Sequence, residues 1–121
     1  FYIFDAKYYT PNLKHGESPK GQPGIESISK QYLYQLAYKK FIDTHGFEGV
    51  KNCFLLPTED DTIICLGEVS MKIFSNLGLE NIKVRCIPAN IAYDYYLLGK
   101  KLDINMLKLN NKDCYNRWRI W

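Results

Sequence analysis

Between Thr10 and Ile25 the chain places Pro11, Gly16, Pro19, Gly21, Pro23 and Gly24, a punctuation that no helix or strand accommodates. Proline removes a backbone donor and fixes φ, and glycine gives up the most conformational freedom on ordering. The segment therefore reads as a loop, and a loop of this length in a small domain is usually functional or mobile. It separates two different periodicities. Residues 1–9 hold Phe1, Tyr2, Ile3, Phe4, Tyr8 and Tyr9, side chains that suit a pleated, half-buried surface, and they read as one strand. From Glu26 to Thr44 the spacing predicts a helix, capped by Ser27 or Ser29 and ended by Gly46. Advancing 100° per residue gathers Gln31, Tyr34, Gln35, Tyr38 and Ile42 on one face, with Leu33, Ala37 and Phe41 beside it. A buried face that contains amides must meet polar partners.

Beyond Gly46 the pattern returns to strands. Val50–Pro57, the acidic turn Thr58-Glu59-Asp60-Asp61 and Thr62–Phe74 read as two β-rich runs joined in a hairpin-like way. Gly67 marks a bulge in the second run. Asn81–Pro88 alternates apolar and polar residues as a strand does. Ala89–Leu98 reads as a helix that Gly99 ends, and from Lys100 a basic tail closes on Arg117-Trp118-Arg119-Ile120-Trp121. The order β, loop, α, β, β, β, α predicts a mixed α/β fold with the sheet covered by helices.

At 121 residues the chain makes a single domain at most. Its 46% apolar content supplies a core and excludes a disordered tail. The net charge of +3 admits a nucleic-acid partner without requiring one. No signal peptide, lipidation box or bilayer-length apolar run appears, so a cytoplasmic protein is expected. The chain starts without Met inside a strand, which suggests part of a longer protein. Cys53, Cys65, Cys86 and Cys114 are widely spaced and form no Cys-x-x-Cys pair. They are expected to be buried, reduced thiols, and zinc is not expected.

The chemistry concentrates at the end of the first strand. Asp5 and Lys7 are two residues apart, so a strand turns both to one face. There the Asp5 carboxylate, with the Ala6 carbonyl as a second donor, can hold Mg²⁺, which needs few protein ligands because it retains several waters. Lys7 can orient the attacking water or stabilise charge on phosphate oxygens. The plain alternative is a strand end with the two charges solvated or paired. Gln31 can orient the lysine from the helix, or else be one satisfied amide of a core helix. His15 is more ordinary than functional in its loop. Lys14, Lys20 and Lys30 can follow a phosphate backbone, or simply make a solvated surface with Lys39 and Lys40. Glu59, Asp60 and Asp61 read as an exposed turn and Glu68 as a packing residue. The absence of a G-x-x-x-x-G-K-[ST] cradle argues against nucleotide hydrolysis.

Asp5-Ala6-Lys7-Tyr8-Tyr9, the Pro/Gly loop and Ile28-Ser29-Lys30-Gln31-Tyr32-Leu33-Tyr34-Gln35-Leu36-Ala37-Tyr38 together resemble the LlaJI-type restriction endonucleases. These are related to McrC-like nuclease subunits and belong to the PD-(D/E)xK superfamily, whose second half-motif is an acid-x-Lys on a core strand. The resemblance covers residues 1–100, the C-terminal part of a catalytic domain, and leaves 101–121 as a tail. It implies a partial restriction-endonuclease-like core, a mixed sheet flanked by helices, and Mg²⁺-dependent hydrolysis of double-stranded DNA. Carried over, Asp5 is a metal ligand, Lys7 is catalytic, and Gln31 is the supporting helix glutamine. A separate NTPase subunit and a homodimer are the partners it implies. The superfamily's first acid is not among these residues. The spacing Gln31-x-x-Tyr34 or Gln35-x-x-Tyr38 is one short of the usual Gln-x-x-x-Tyr, which leaves open which glutamine faces the site. A repair or recombination nuclease of the same superfamily is the alternative enzyme, and a non-catalytic nucleic-acid-binding module the alternative class.

Overall fold

The computed structural model describes residues 1–9, 21, 23–110 and 119–120. Strand β1 (Tyr2–Ala6) is followed among the described residues by helix α1 (Ile25–Thr44), and then by β2 (Lys51–Thr58). Then come β3 (Ile64–Val69), the one-turn helix α2 (Lys72–Ser75), β4 (Ile82–Pro88) and α3 (Ala89–Leu97). A 3-10 turn at Ile104–Leu107 and the short strand β5 (Arg119–Ile120) complete the order. The strands form one mixed sheet in the order β1-β2-β4-β3-β5. β1, β2 and β4 run parallel, and β3 is antiparallel to β4. Two parallel neighbours need a long crossover, and α1 lies in the connection between β1 and β2.

The expected hairpin between β2 and β3 does not form, because β4 inserts between them. The acidic turn between them therefore connects strands that are not neighbours. The second run also ends earlier than expected: β3 stops at Val69 and residues 72–75 turn into helix. Gly67 does mark a bulge, since the β3–β4 register shifts between Cys65 and Gly67, and φ there is +128°, a conformation glycine supplies.

Helix α1 is capped by Gly24, with neither Ser27 nor Ser29 bonding its end; the Ile28 N–H already reaches the Gly24 carbonyl at 3.0 Å. Its C-terminus closes as Gly46 intended. Gly46 takes φ +68°, the Phe47 N–H reaches Ile42 and the Gly46 N–H reaches Asp43, the paired bonds of a Schellman motif. α3 ends on Gly99 with the same pair of bonds.

Apolar layers lie on both faces of the sheet. On one, Ile28 and Tyr32 of α1 pack against Phe54, Leu56, Val69, Ile82, Val84 and Cys86, and Tyr32 stacks on Phe74 at 4.5 Å. Burying each large side chain of this layer contributes about 1.5–3 kcal/mol. On the other, Cys53 and Ile87 pack with Leu107 and Leu109 from the segment after α3. Arg85 ties that second layer together while only 1% exposed. Its Nε donates to the Leu107 carbonyl at 2.8 Å, its Nη1 to Gly67 at 3.2 Å and Val84 at 3.0 Å, and its Nη2 to Lys108 at 3.3 Å. Burial lowers the Arg85 pKa from its usual value, yet a guanidinium stays charged in such a site.

The thiol expectation holds for Cys53 and Cys86, which are free and buried. It fails for Cys65, which is disulfide-bonded. Linear spacing does not report which cysteines approach within bonding distance. Cys114 lies outside the described residues.

Candidate functional site

Strand alternation turns Ile3, Asp5 and Lys7 toward α1, and the register pairs Ile3 with Asn52 and Asp5 with Phe54. The parallel ladder therefore sets Asp5 and Phe54 on the same face. The Lys7 Nζ lies 2.9 Å from the Asp5 Oδ2, with the two side chains 20% and 24% exposed. The same ammonium stands 5.9 Å from the centre of the Phe54 ring, a cation over an aromatic face. Lys7 is anchored by its backbone as well, because its N–H donates to the Leu55 carbonyl at 2.8 Å.

That bond and its counterpart at the other end, the Lys51 N–H to the Phe1 carbonyl at 2.8 Å, show which backbone groups face β2. Odd-numbered residues of β1 bond toward β2, so the Ala6 N–H and carbonyl point to the outer edge. Among the described residues no strand lies beyond that edge. Tyr9 lies just past the strand. Its phenol titrates above the ordinary range chiefly because it is partly buried; the Lys7 charge lowers it and the Asp5 charge raises it. Tyr9 therefore sits in the field of the pair, a role its place in the Tyr8-Tyr9 doublet did not announce.

Helix α1 presents Ile28, Gln31, Tyr32, Gln35 and Ile42 to the sheet. Gln31 is fully buried and Gln35 is 4% exposed, so both glutamines face inward as expected. Tyr34 and Tyr38 do not, at 39% and 47% exposed. The helix rolls toward Ile28 and Tyr32, because those side chains fill the layer over Phe54 and Leu56. The two glutamines have different surroundings. Gln35 donates from Nε2 to the Glu80 carbonyl at 3.3 Å. Gln31 keeps both polar atoms of its amide unpartnered in the interior, while its backbone carbonyl accepts from the Asn52 Nδ2 at 3.0 Å.

Lys30 is exposed on α1. Lys14, Lys20 and His15 lie outside the described residues. Glu59, Asp60 and Asp61 form an exposed turn, in which Asp60 bonds Thr58 through both its N–H and its carboxylate. Glu68 stands on the far face of the sheet with Lys83 at 2.6 Å. Among the described residues no cluster of three or more His, Cys, Asp or Glu could hold a metal. None of the described helices is long and apolar enough to cross a membrane.

Residues 1–93 match the family model described as LlaJI restriction endonuclease. The chain belongs to that family. The match contains the Asp5–Lys7 strand, all of α1, and β2, β3 and β4. A Bacillus subtilis (strain 168) relative, the type II restriction enzyme BsuMI component YdjA, is 35% identical over 102 residues. That alignment covers 83% of this chain and 20% of the relative, so the chain spans about a fifth of the curated protein it matches. No solved structure matches.

Proposed function

We propose that this chain carries the acid-x-lysine half of a Mg²⁺-dependent endonuclease site acting on double-stranded DNA, in a core of the PD-(D/E)xK type. One observation carries the reading: Asp5 and Lys7 meet at 2.9 Å at the end of a strand beyond whose outer edge no other strand lies among the described residues. Family membership supports a nuclease, and the geometry supports these two side chains as its reacting groups. Asp5 and the outward Ala6 carbonyl are hard oxygen donors, the kind Mg²⁺ takes, and together they fill a minority of its coordination positions. A bound Mg²⁺ would activate a water and neutralise charge on the scissile phosphate.

Lys7 supplies a positive charge on the protein side. It is held by Asp5 and by the Phe54 face, and it can donate to a phosphate oxygen or to the attacking water. Gln31 is the helix amide that supports it, in preference to Gln35, whose amide is already committed to Glu80. Lys14, Lys20 and Lys30 are assigned to the DNA backbone. The relative's name describes a component, which supports assembly with another subunit, and an NTPase or a second copy of this chain fits that place.

In the full-length protein, Asp5→Ala and Lys7→Ala should each abolish Mg²⁺-dependent cleavage of duplex DNA while the melting temperature stays near that of the parent. Full activity in either variant would sink the assignment. Lys30→Ala should weaken DNA binding and reduce the slope of log affinity against log salt by about 0.9, the loss of one phosphate contact. An unchanged slope in a salt titration would remove Lys30 from the DNA interface.

A further inference from the structure

Strand β2 carries an asparagine on the side of the sheet that faces a helix, where an aliphatic residue is the ordinary occupant. Asn52 is 1% exposed. Its Nδ2 donates to the Gln31 carbonyl at 3.0 Å, a bond from sheet to helix at the turn that bears the Gln31 side chain. Its own Oδ1 and both polar atoms of the Gln31 amide are buried without a partner. A buried polar group without a partner is costly, and three of them in one place call for an explanation. The two amides are complementary, since one offers N–H donors and the other an acceptor. Phe54 lies two residues further along the same face, about 7 Å up the strand. It packs with Ile28, one turn before Gln31, and with Tyr32, the residue after it, and carries the Lys7 ammonium over its ring.

We propose that Asn52 is a positioning residue for Lys7. In the structure only its Nδ2 is engaged, on the Gln31 carbonyl; in the working site a turn of the Gln31 side chain brings its amide N–H to the Asn52 Oδ1, and the Gln31 Oε1 is thereby aimed at the Lys7 ammonium. Lys7 then has an uncharged acceptor when the Asp5 carboxylate is engaged elsewhere. The inference rests on Asp5 and Lys7 forming the site proposed above.

Two measurements on the full-length protein test it. Asn52→Leu and Gln31→Leu should each lower kcat about ten- to a hundred-fold, with KM for DNA unchanged. The double variant should be no slower than Gln31→Leu alone, because one acts through the other. Independent, multiplying losses would overturn the proposal. The second measurement uses metal-free protein. In an Asp5→Ala background, acylation of Lys7, read by peptide mass spectrometry, should rise on adding Asn52→Leu or Gln31→Leu and rise no further with both. Unchanged Lys7 labelling would reduce Asn52 to a packing role. If Asn52→Leu does not fold, Asn52→Ser takes its place, with the same expected non-additivity. Full cleavage by Asp5→Ala or Lys7→Ala would defeat the nuclease reading instead, and the labelling result would still decide whether Asn52 controls Lys7.

Discussion

Arg85 does for the far side of the sheet what a hydrophobic residue could not. Four backbone carbonyls, at Gly67, Val84, Leu107 and Lys108, accept from it, and two of them belong to the segment after α3. Replacing Arg85 with Met keeps most of the volume and strands these acceptors, at least two of them buried. Hydrogen bonds to charged groups contribute about 1.5–3 kcal/mol each, so Arg85→Met should lower the unfolding free energy by about 3 kcal/mol or more. Urea denaturation at constant pH checks this, and a loss below 1 kcal/mol would show that water replaces the guanidinium. The alternation of Asn81–Pro88 gave no warning of this role. A polar residue at that register reads as solvent-facing, and only the return of Leu107 and Leu109 over the sheet buries it. Asp5 and Lys7 are the opposite case. Strand geometry alone puts them on one face, and their pairing follows from residues that are neighbours in sequence.

Helix α1 shows where local reading stops at the element scale. Its extent and its termination at Gly46 were legible, since both depend on chemistry within a few residues. Its buried face was legible in part. Gln31, Gln35 and Ile42 face the sheet, but Ile28 and Tyr32 do so in place of Tyr34 and Tyr38. Aromatic and aliphatic residues surround this helix on all sides, so its roll is set by what it packs on rather than by its own pattern. Ile28→Ala should therefore cost about 2–5 kcal/mol, whereas Leu33→Ala, at a position 57% exposed, should change stability by no more than about 0.5 kcal/mol. Thermal melts of the two variants decide between this face and the one centred on Tyr34. The hairpin expected between β2 and β3 failed for a similar reason. Nothing in either strand specifies that β4, a later segment, is the better neighbour for both. Asn52 is silent in the sequence because an asparagine within a β-rich run carries no local signal of burial.

Across the whole molecule, two buried thiols connect the fold to alkaline pH. Burial pushes Cys53 up from 9.0 to about 12 and Cys86 from 9.0 to about 11. The folded chain therefore retains protons that the unfolded chain releases. The stability these groups contribute is intact below pH 9 and is lost as pH rises through 9 toward 11 to 12. The denaturant midpoint should fall between pH 8 and pH 11, and the fall should shrink when Cys53 and Cys86 are both replaced by Ala. An equal fall in that double variant would place the alkaline sensitivity on other groups. The Asp5–Lys7 contact has a different reach. Two opposite charges held 2.9 Å apart make a dipole, whose far field dies away faster than that of a lone charge. At a distance of one DNA diameter this corner of the sheet is almost silent, neither repelling a polyanion nor drawing it in. The acid becomes audible only at close range, so under the proposed function the approach of a duplex would be governed by the rest of the surface and the chemistry by these two residues.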